Sequence, residues 1–223
     1  MGIYQLTDRI IDPTRYPWGF APLSSYALSF DGTDDYVSFG SNASLNLDTS
    51  FTYAFRLKTS TDGKVIYNAR DGSSNSGTLT IHINSNKVRV GIHAVATIFS
   101  STSNVTTNSW IHVALTRNSS NAWALYFDGS EEASATNSAK PSAWAAKYLG
   151  RGFYGYFNGL ISDVRIYDAA LSSSQIATLS AGGHISAGLA GYWPMNEGAG
   201  STLTDLSGND NTGTVYGASW IEL

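Results

Sequence analysis

The sequence predicts an all-β fold, two antiparallel sheets packed as a sandwich with one short helix, and three observations carry that expectation. From Tyr26 onward, apolar and polar residues alternate in short runs, the period of a strand that buries one face. Between the runs lie clusters of Gly, Asn, Asp and Ser, the residues that hairpin turns require. Aromatic residues make up 13% of the chain and charged residues only 13%, so the loops are polar without being charged. At 223 residues the chain can bury a full core without the disulfides that its absence of cysteine excludes.

Residues 1–24 fit neither period. Pro13, Pro17 and Pro22 interrupt them, while Tyr4, Tyr16, Trp18 and Phe20 with Arg9 and Arg15 offer anchors. We read this stretch as an N-terminal arm that docks on a partner, and residues 25–223 as the sandwich. In "SFTYAFRLK", Phe51, Tyr53, Phe55 and Leu57 point inward, and Thr52, Ala54, Arg56 and Lys58 outward. "GTLTIHI" and "KVRVGIH" repeat the pattern with Leu79, Ile81, Ile83 and Val88, Val90, Ile92 inward. His82, Arg89 and His93 then face solvent, and "NSN" at 84–86 closes the hairpin. "WIHVALTR" and "AWALYFDG" form a further pair, and "GLISDVRIY" a long strand. Ser172 and Gln175 form a capping box for a helix with Leu171 as its staple, ended by Gly182–Gly183 and placed at the sandwich rim. The tail, 184–223, holds further short strands around a Gly/Asn-rich turn.

A net charge of −4 leaves no nucleic-acid footprint, and no apolar run is long enough for a membrane insertion. The first thirty residues lack the basic start and apolar stretch of a secretion signal. Either a leader has been trimmed or the protein leaves the cell by another route. For catalysis the chain offers Glu131, Glu132, Glu197 and Glu222, none in a Glu-x-Asp-x-Glu strand, and four histidines without nucleophile or metal-helix motifs. A non-catalytic role follows. Sugar rings need aromatic platforms with amide or guanidinium partners. Tyr67, His82, Arg89 and His93, with Arg56, are candidates on one sheet's outer face, and Tyr154 and Tyr156 in "RGFYGYFNG" at a rim. "DLSGNDN", 205–211, reads as a turn rather than a calcium loop, because its glycine is at the fourth position and no glutamate stands at the twelfth.

In chain order, "ALSFDGTDDYVSF", "SFTYAFRLK", "NSWIHVALTRN", "ALYFDG" and "FNGLISDVRIYDAALSSSQIATL" resemble the laminin-G-like jelly-roll domains of the concanavalin A-like superfamily. The tail resembles a segment that usually precedes the first of these stretches. It therefore either completes the sandwich in permuted order or pairs with a neighbouring subunit. The resemblance implies a concanavalin A-like jelly roll and one structural calcium at a sandwich rim. It places Asp31 and Asp163 as ligands and Asp34 as a helper; Ser162 stands where many relatives carry a second acid. The competing reading of Asp31, Asp34 and Asp35 is a polar turn around Gly32.

These readings converge on a non-catalytic adhesion or structural module, extracellular or on a virion surface, such as a phage decoration or fibre protein. Its expected partners are capsid or fibre subunits, contacted through the arm, and glycans, with a homo-oligomeric assembly. The alternative is a carbohydrate-binding module of a secreted bacterial protein; a glycan hydrolase ranks third.

Overall fold

The computed structural model describes residues 24–40, 42–47, 49–62, 65–69, 77–141, 146–152 and 155–223. The arm residues Tyr4, Arg9, Arg15, Tyr16, Trp18 and Phe20, and Tyr154 in the rim stretch, lie outside the described residues.

The first half of the chain supplies β1 (Tyr26–Asp31), β2 (Tyr36–Ser38), β3 (Phe51–Lys58), β4 (Val65–Ala69) and β5 (Leu79–Asn84). It continues with β6 (Lys87–Ile92), β7 (Ala96–Ser100), β8 (Ile111–Arg117), β9 (Ala122–Phe127) and β10 (Ser130–Thr136). Then follow β11 (Ala146–Leu149), the small hairpin β12 (Arg151–Gly152) and β13 (Gly155–Tyr156), and β14 (Asn158–Tyr167). After the helix α1 (Ser173–Ser180) come β15 (Leu189–Trp193), β16 (Thr202–Leu203), β17 (Gly213–Tyr216) and β18 (Ser219–Glu222). These make two eight-stranded antiparallel sheets. The first runs β10-β9-β8-β3-β14-β1-β18, with β15 also on β14; the second runs β16-β17-β2-β11-β4-β5-β6-β7. The tail strands β15, β17 and β18 pair with β14, β2 and β1 of the same chain, and β16 pairs with β17.

The inward residues that alternation predicts do form the core between the sheets. Phe51, Tyr53, Phe55 and Leu57 meet Leu79, Ile81, Ile83, Val88, Val90 and Ile92 there, and the tail adds Trp193, Met195, Leu203 and Val215. The β5–β6 connection has both central residues, Ser85 and Asn86, at positive φ, the geometry that matches a tight hairpin to strand twist.

The outer face of the first sheet departs from the sequence expectation. Thr52 and Ala54, expected to face solvent, are buried. Leu171, Ile176 and Leu179 of the α1 region pack on Ala54, Ala114, Tyr126 and Tyr167 and form a second, smaller core. The helix therefore covers a sheet face rather than decorating a rim. Its N-terminus carries the expected capping box of Ser172 and Gln175. At its other end Gly182 N–H donates to Leu179 O and Gly183 N–H to Thr178 O, satisfying two carbonyls through a left-handed glycine. Arginines from the sheet beneath meet further carbonyls there. Arg56 donates to Ser180 O at 2.9 Å and Arg165 to Gly183 O at 2.7 Å, cations at the negative end of the helix dipole. Arg56 thus belongs to this covered face and not to the sheet that carries His82 and Arg89.

His112 shares that covered layer, opposite Arg56 in register and 2% exposed. Burial, and then the charges of Arg56 and Arg165, hold its pKa down at about 3 against an ordinary 6.5. The folded protein keeps this imidazole neutral while the unfolded chain protonates it. The stability it contributes is therefore complete above pH 6.5 and is lost as pH falls toward 3. Denaturant titrations should show unfolding free energy falling between pH 7 and pH 5, by up to about 2 kcal/mol from this residue. His112→Gln should flatten that slope; an unchanged slope would contradict the assignment.

Candidate functional site

Among the described residues no helix covers the outer face of the second sheet, and a cleft of about 340 Å³ opens on it over β5, β6 and β7. Its lining includes Thr80, His82, Asn84, Arg89, His93 and Thr97. Strand pairing explains the grouping: His82 stands opposite Arg89 and Thr80 opposite Gly91. Gly91 matters locally, because a Cβ there would meet Ala96 O at 2.9 Å; its absence lets β7 approach. Residues 93–95, the turn between β6 and β7, form a wall of the cleft with Val95 at its lip, 57% exposed.

His82, Arg89 and His93, singled out from the sequence, therefore line one cleft, but His82 is not on open solvent: it is only 5% exposed. Burial, and then the Arg89 charge, lower its pKa to about 4, so it is neutral near pH 7. Arg89 is held by a 2.9 Å bond from its Nη2 to Thr97 Oγ1, which orients the guanidinium with donors to spare. Asn84, Thr80 and Thr97 were not singled out from the sequence. Their signal, polar residues on the same strand face as His82 and Arg89, acquires meaning only once β7 is known to pair with β6. Of the remaining candidates, Tyr67 lies on β4 opposite Ile81, its side chain outside the described residues. Tyr156 lies on β13 opposite Arg151, in the small hairpin and outside the cleft.

At the β1–β2 connection, carboxylate oxygens of Asp31, Asp34 and Asp35 lie within 4.8 Å of one another. Asp35 Oδ2 accepts from Asp31 N at 2.8 Å, and Asp31 Oδ1 from Thr33 N at 2.7 Å, the bonds of a polar turn. Burial, with further contributions from the charges of Asp31 and Asp34, raises the Asp35 pKa despite that backbone bond. Among the described residues no Lys or Arg pairs with the three. Mutual spacing, hard oxygen donors and uncompensated charge all fit a calcium ion held by Asp31, Asp34 and Asp35.

Asp163 does not join them, a correction to the expected Asp31–Asp163 pair. Asp31 faces Asn158 on β14, and Asp163 is five residues further along, roughly 16 Å at strand spacing. It sits at an irregularity between Ser162 and Arg165, with φ of 51°, where β14 exchanges β1 for β15 as its neighbour. There its carboxylate accepts from Arg165 Nε at 2.9 Å beneath the helix layer. In the tail, Asp205 accepts from the backbone N–H groups of Tyr192, Ser207 and Asn211 and from the side chains of Ser207 and Asn211. That occupancy makes "DLSGNDN" a structural turn.

The four glutamates are likewise dispersed. Glu132 on β10 accepts from Thr102 and Ser103, Glu197 accepts from Thr204 N, and Glu131 and Glu222 stand on β10 and β18. Among the described residues, none that lines the cleft carries a carboxylate.

Comparison with known proteins bears on the fold. A structure of a proposed carbohydrate-binding protein from Bacteroides ovatus superposes with a TM-score of 0.67 at 21% identity, covering 91% of this chain and 61% of that one. This chain thus spans less than two thirds of that protein's length. The CBM40 of a Ruminococcus gnavus sialidase, bound to α2,3-sialyllactose, gives 0.58 at 14% identity over 69% of this chain and 96% of that one. Domain 4 of an extracellular arabinanase from Geobacillus stearothermophilus, in complex with arabinotriose, gives 0.53 at 18% identity, covering 74% and 91%. No match was found among curated protein sequences. A family model for the concanavalin A-like lectin/glucanases superfamily matches residues 31–177, well over half of the chain. With two antiparallel sheets and that match, the chain belongs to the concanavalin A-like lectin/glucanase superfamily.

Proposed function

We propose that this protein is a non-catalytic glycan-binding module that holds its ligand in the cleft over β5, β6 and β7. The observation that carries this reading is the cleft's lining: one oriented guanidinium, one neutral imidazole and several hydroxyl and amide groups, with an apolar lip at Val95. Such a set donates and accepts hydrogen bonds to sugar hydroxyls while offering C–H contact. Hydrolysis of a glycosidic bond needs two carboxyl groups flanking it, and the described residues of this lining offer none. The carbohydrate partners of structurally similar proteins point the same way.

Calcium at Asp31, Asp34 and Asp35 belongs to this proposal as a structural ion that pins the β1–β2 connection. Its contribution is electrostatic: its double positive charge offsets most of the charge of three clustered carboxylates and so relieves Asp35. Melting curves with calcium and with chelator test it. A site occupied well above its dissociation constant adds about 2–4 kcal/mol, a shift of several degrees, whereas coincident curves would contradict the ion.

For the setting, we propose a virion or cell surface, with the 1–24 arm docking an oligomeric module on its carrier. The arm's aromatic and arginine content and the weakly charged loops support it. Deleting residues 1–24 should abolish attachment to the carrier and leave glycan binding intact; unaffected attachment would contradict the docking role. For the cleft, Arg89→Ala should weaken binding of a glycan-array hit at least tenfold, about 1.4 kcal/mol or more, with an unchanged melting temperature. Full retention of affinity would place the ligand elsewhere.

A further inference from the structure

The same sheet face carries a second feature, assembled from strands far apart in sequence. Tyr216 on β17 stacks on Tyr36 on β2, with ring centroids 4.6 Å apart and planes 13° from parallel. Tyr148 on β11 meets Tyr36 edge-on at 5.8 Å. The Arg151 guanidinium lies over both Tyr36 and Tyr148, at 4.8 and 5.1 Å from the ring centroids. All three tyrosines point outward, since their neighbours Val37, Leu149 and Val215 are core residues. Tyr216 is 46% exposed, so the ring at the end of the stack remains open to solvent.

Strand register ties this group to the cleft. Tyr148 pairs with Asn68 on β4, and Asn68 pairs with Thr80, which lines the cleft. Two inter-strand steps put Tyr148 roughly 10 Å from Thr80, and Tyr216 lies two further steps out, at roughly 19 Å. The path crosses the strands and is longer than one sugar ring.

Charge selects among glycans. Asp35 directly precedes Tyr36, and a Cβ on Gly217, next to Tyr216, would lie 2.0 Å from Asp35 Oδ1. A Cβ on Gly150, next to Arg151, would lie 3.4 Å from Asp35 O. The platform therefore borders the Asp31, Asp34 and Asp35 carboxylates, and among the described residues its one cation is Arg151, which lies over two rings. Without calcium the carboxylates outnumber that cation and repel an acidic sugar; with calcium the site has no surplus positive charge to attract one, whereas a neutral ring can lay its C–H face on Tyr216.

Resting on the cleft reading above, we propose that Tyr216 and Tyr148, with Arg151, form an outer subsite, so that the module binds an extended neutral polysaccharide chain across the second sheet rather than a terminal sugar. Oligosaccharide ladders from monosaccharide to octasaccharide, neutral and uronate-containing, provide the test by calorimetry with wild type, Tyr216→Ala, Tyr148→Ala, Tyr216→Phe and Arg89→Ala. For a neutral ladder, wild-type affinity should rise about tenfold from disaccharide to hexasaccharide. Either tyrosine-to-alanine variant should remove that gain and leave disaccharide binding unchanged. Tyr216→Phe, which keeps the ring, should retain it, and Arg89→Ala should weaken both lengths. Affinity independent of length, preference for the uronate ladders, or alanine variants that bind hexasaccharide like wild type would each overturn the outer subsite while leaving the cleft standing. Absence of binding to any ladder would overturn the cleft reading and the subsite together.

Discussion

A sheet has two faces, and in a sandwich only one of each pair is buried by the other sheet. The constraint that shapes this molecule is how each remaining face is treated. On the first sheet, α1 lies across Ala54, Ala114, Tyr126 and Tyr167 and closes the outer face with a second core. Burying that face takes His112 and Arg165 out of water and half-buries Arg56, and the helix terminus supplies carbonyls that the arginines can use. The second sheet keeps its outer face polar and aromatic, with Arg89, Thr80, Tyr36, Tyr148 and Tyr216 arranged along it. The helix takes the outer face of the first sheet, and the proposed ligand contacts fall on the second.

The tail makes that arrangement possible. Its strands add to both sheets, β15 and β18 to the first, β16 and β17 to the second, so the tail brings Tyr216 to the outer face of the second sheet. Trp193 anchors it: the ring is fully buried against Phe39 at 4.1 Å, and its N–H donates to Asn211 O at 2.8 Å. Asn211 is in turn fixed to Asp205, whose carboxylate organises the turn. Packing and hydrogen bonding are joined at one place, and removing a buried indole of this kind costs about 3–5 kcal/mol.

Much of this was legible in the sequence, and what was not has a common cause. The inward residues of β3, β5 and β6 follow from a period of two, and the capping box of α1 is a local pattern of four residues. His82, Arg89 and His93 fall together because one hairpin carries them. By contrast, the burial of Thr52 and Ala54 depends on where the helix lands, which no local pattern encodes. Asp163 was misplaced because β14 changes neighbours midway, a matter of strand pairing across the whole chain. Tyr36, Tyr148 and Tyr216 meet only after β17, β2 and β11 have been placed side by side. Local chemistry is readable from residues; adjacency between distant strands is settled by the sheet order.

The claim on which this account depends is that ligand meets the outer face of the second sheet. Amide chemical-shift mapping with a neutral oligosaccharide tests it most directly. Perturbations are expected along Thr80–Asn84, Arg89–Thr97, Tyr148 and Tyr216, with the residues of α1 unchanged. Perturbations confined to the α1 side of the molecule, around Arg56, Arg165 and residues 173–183, would contradict it.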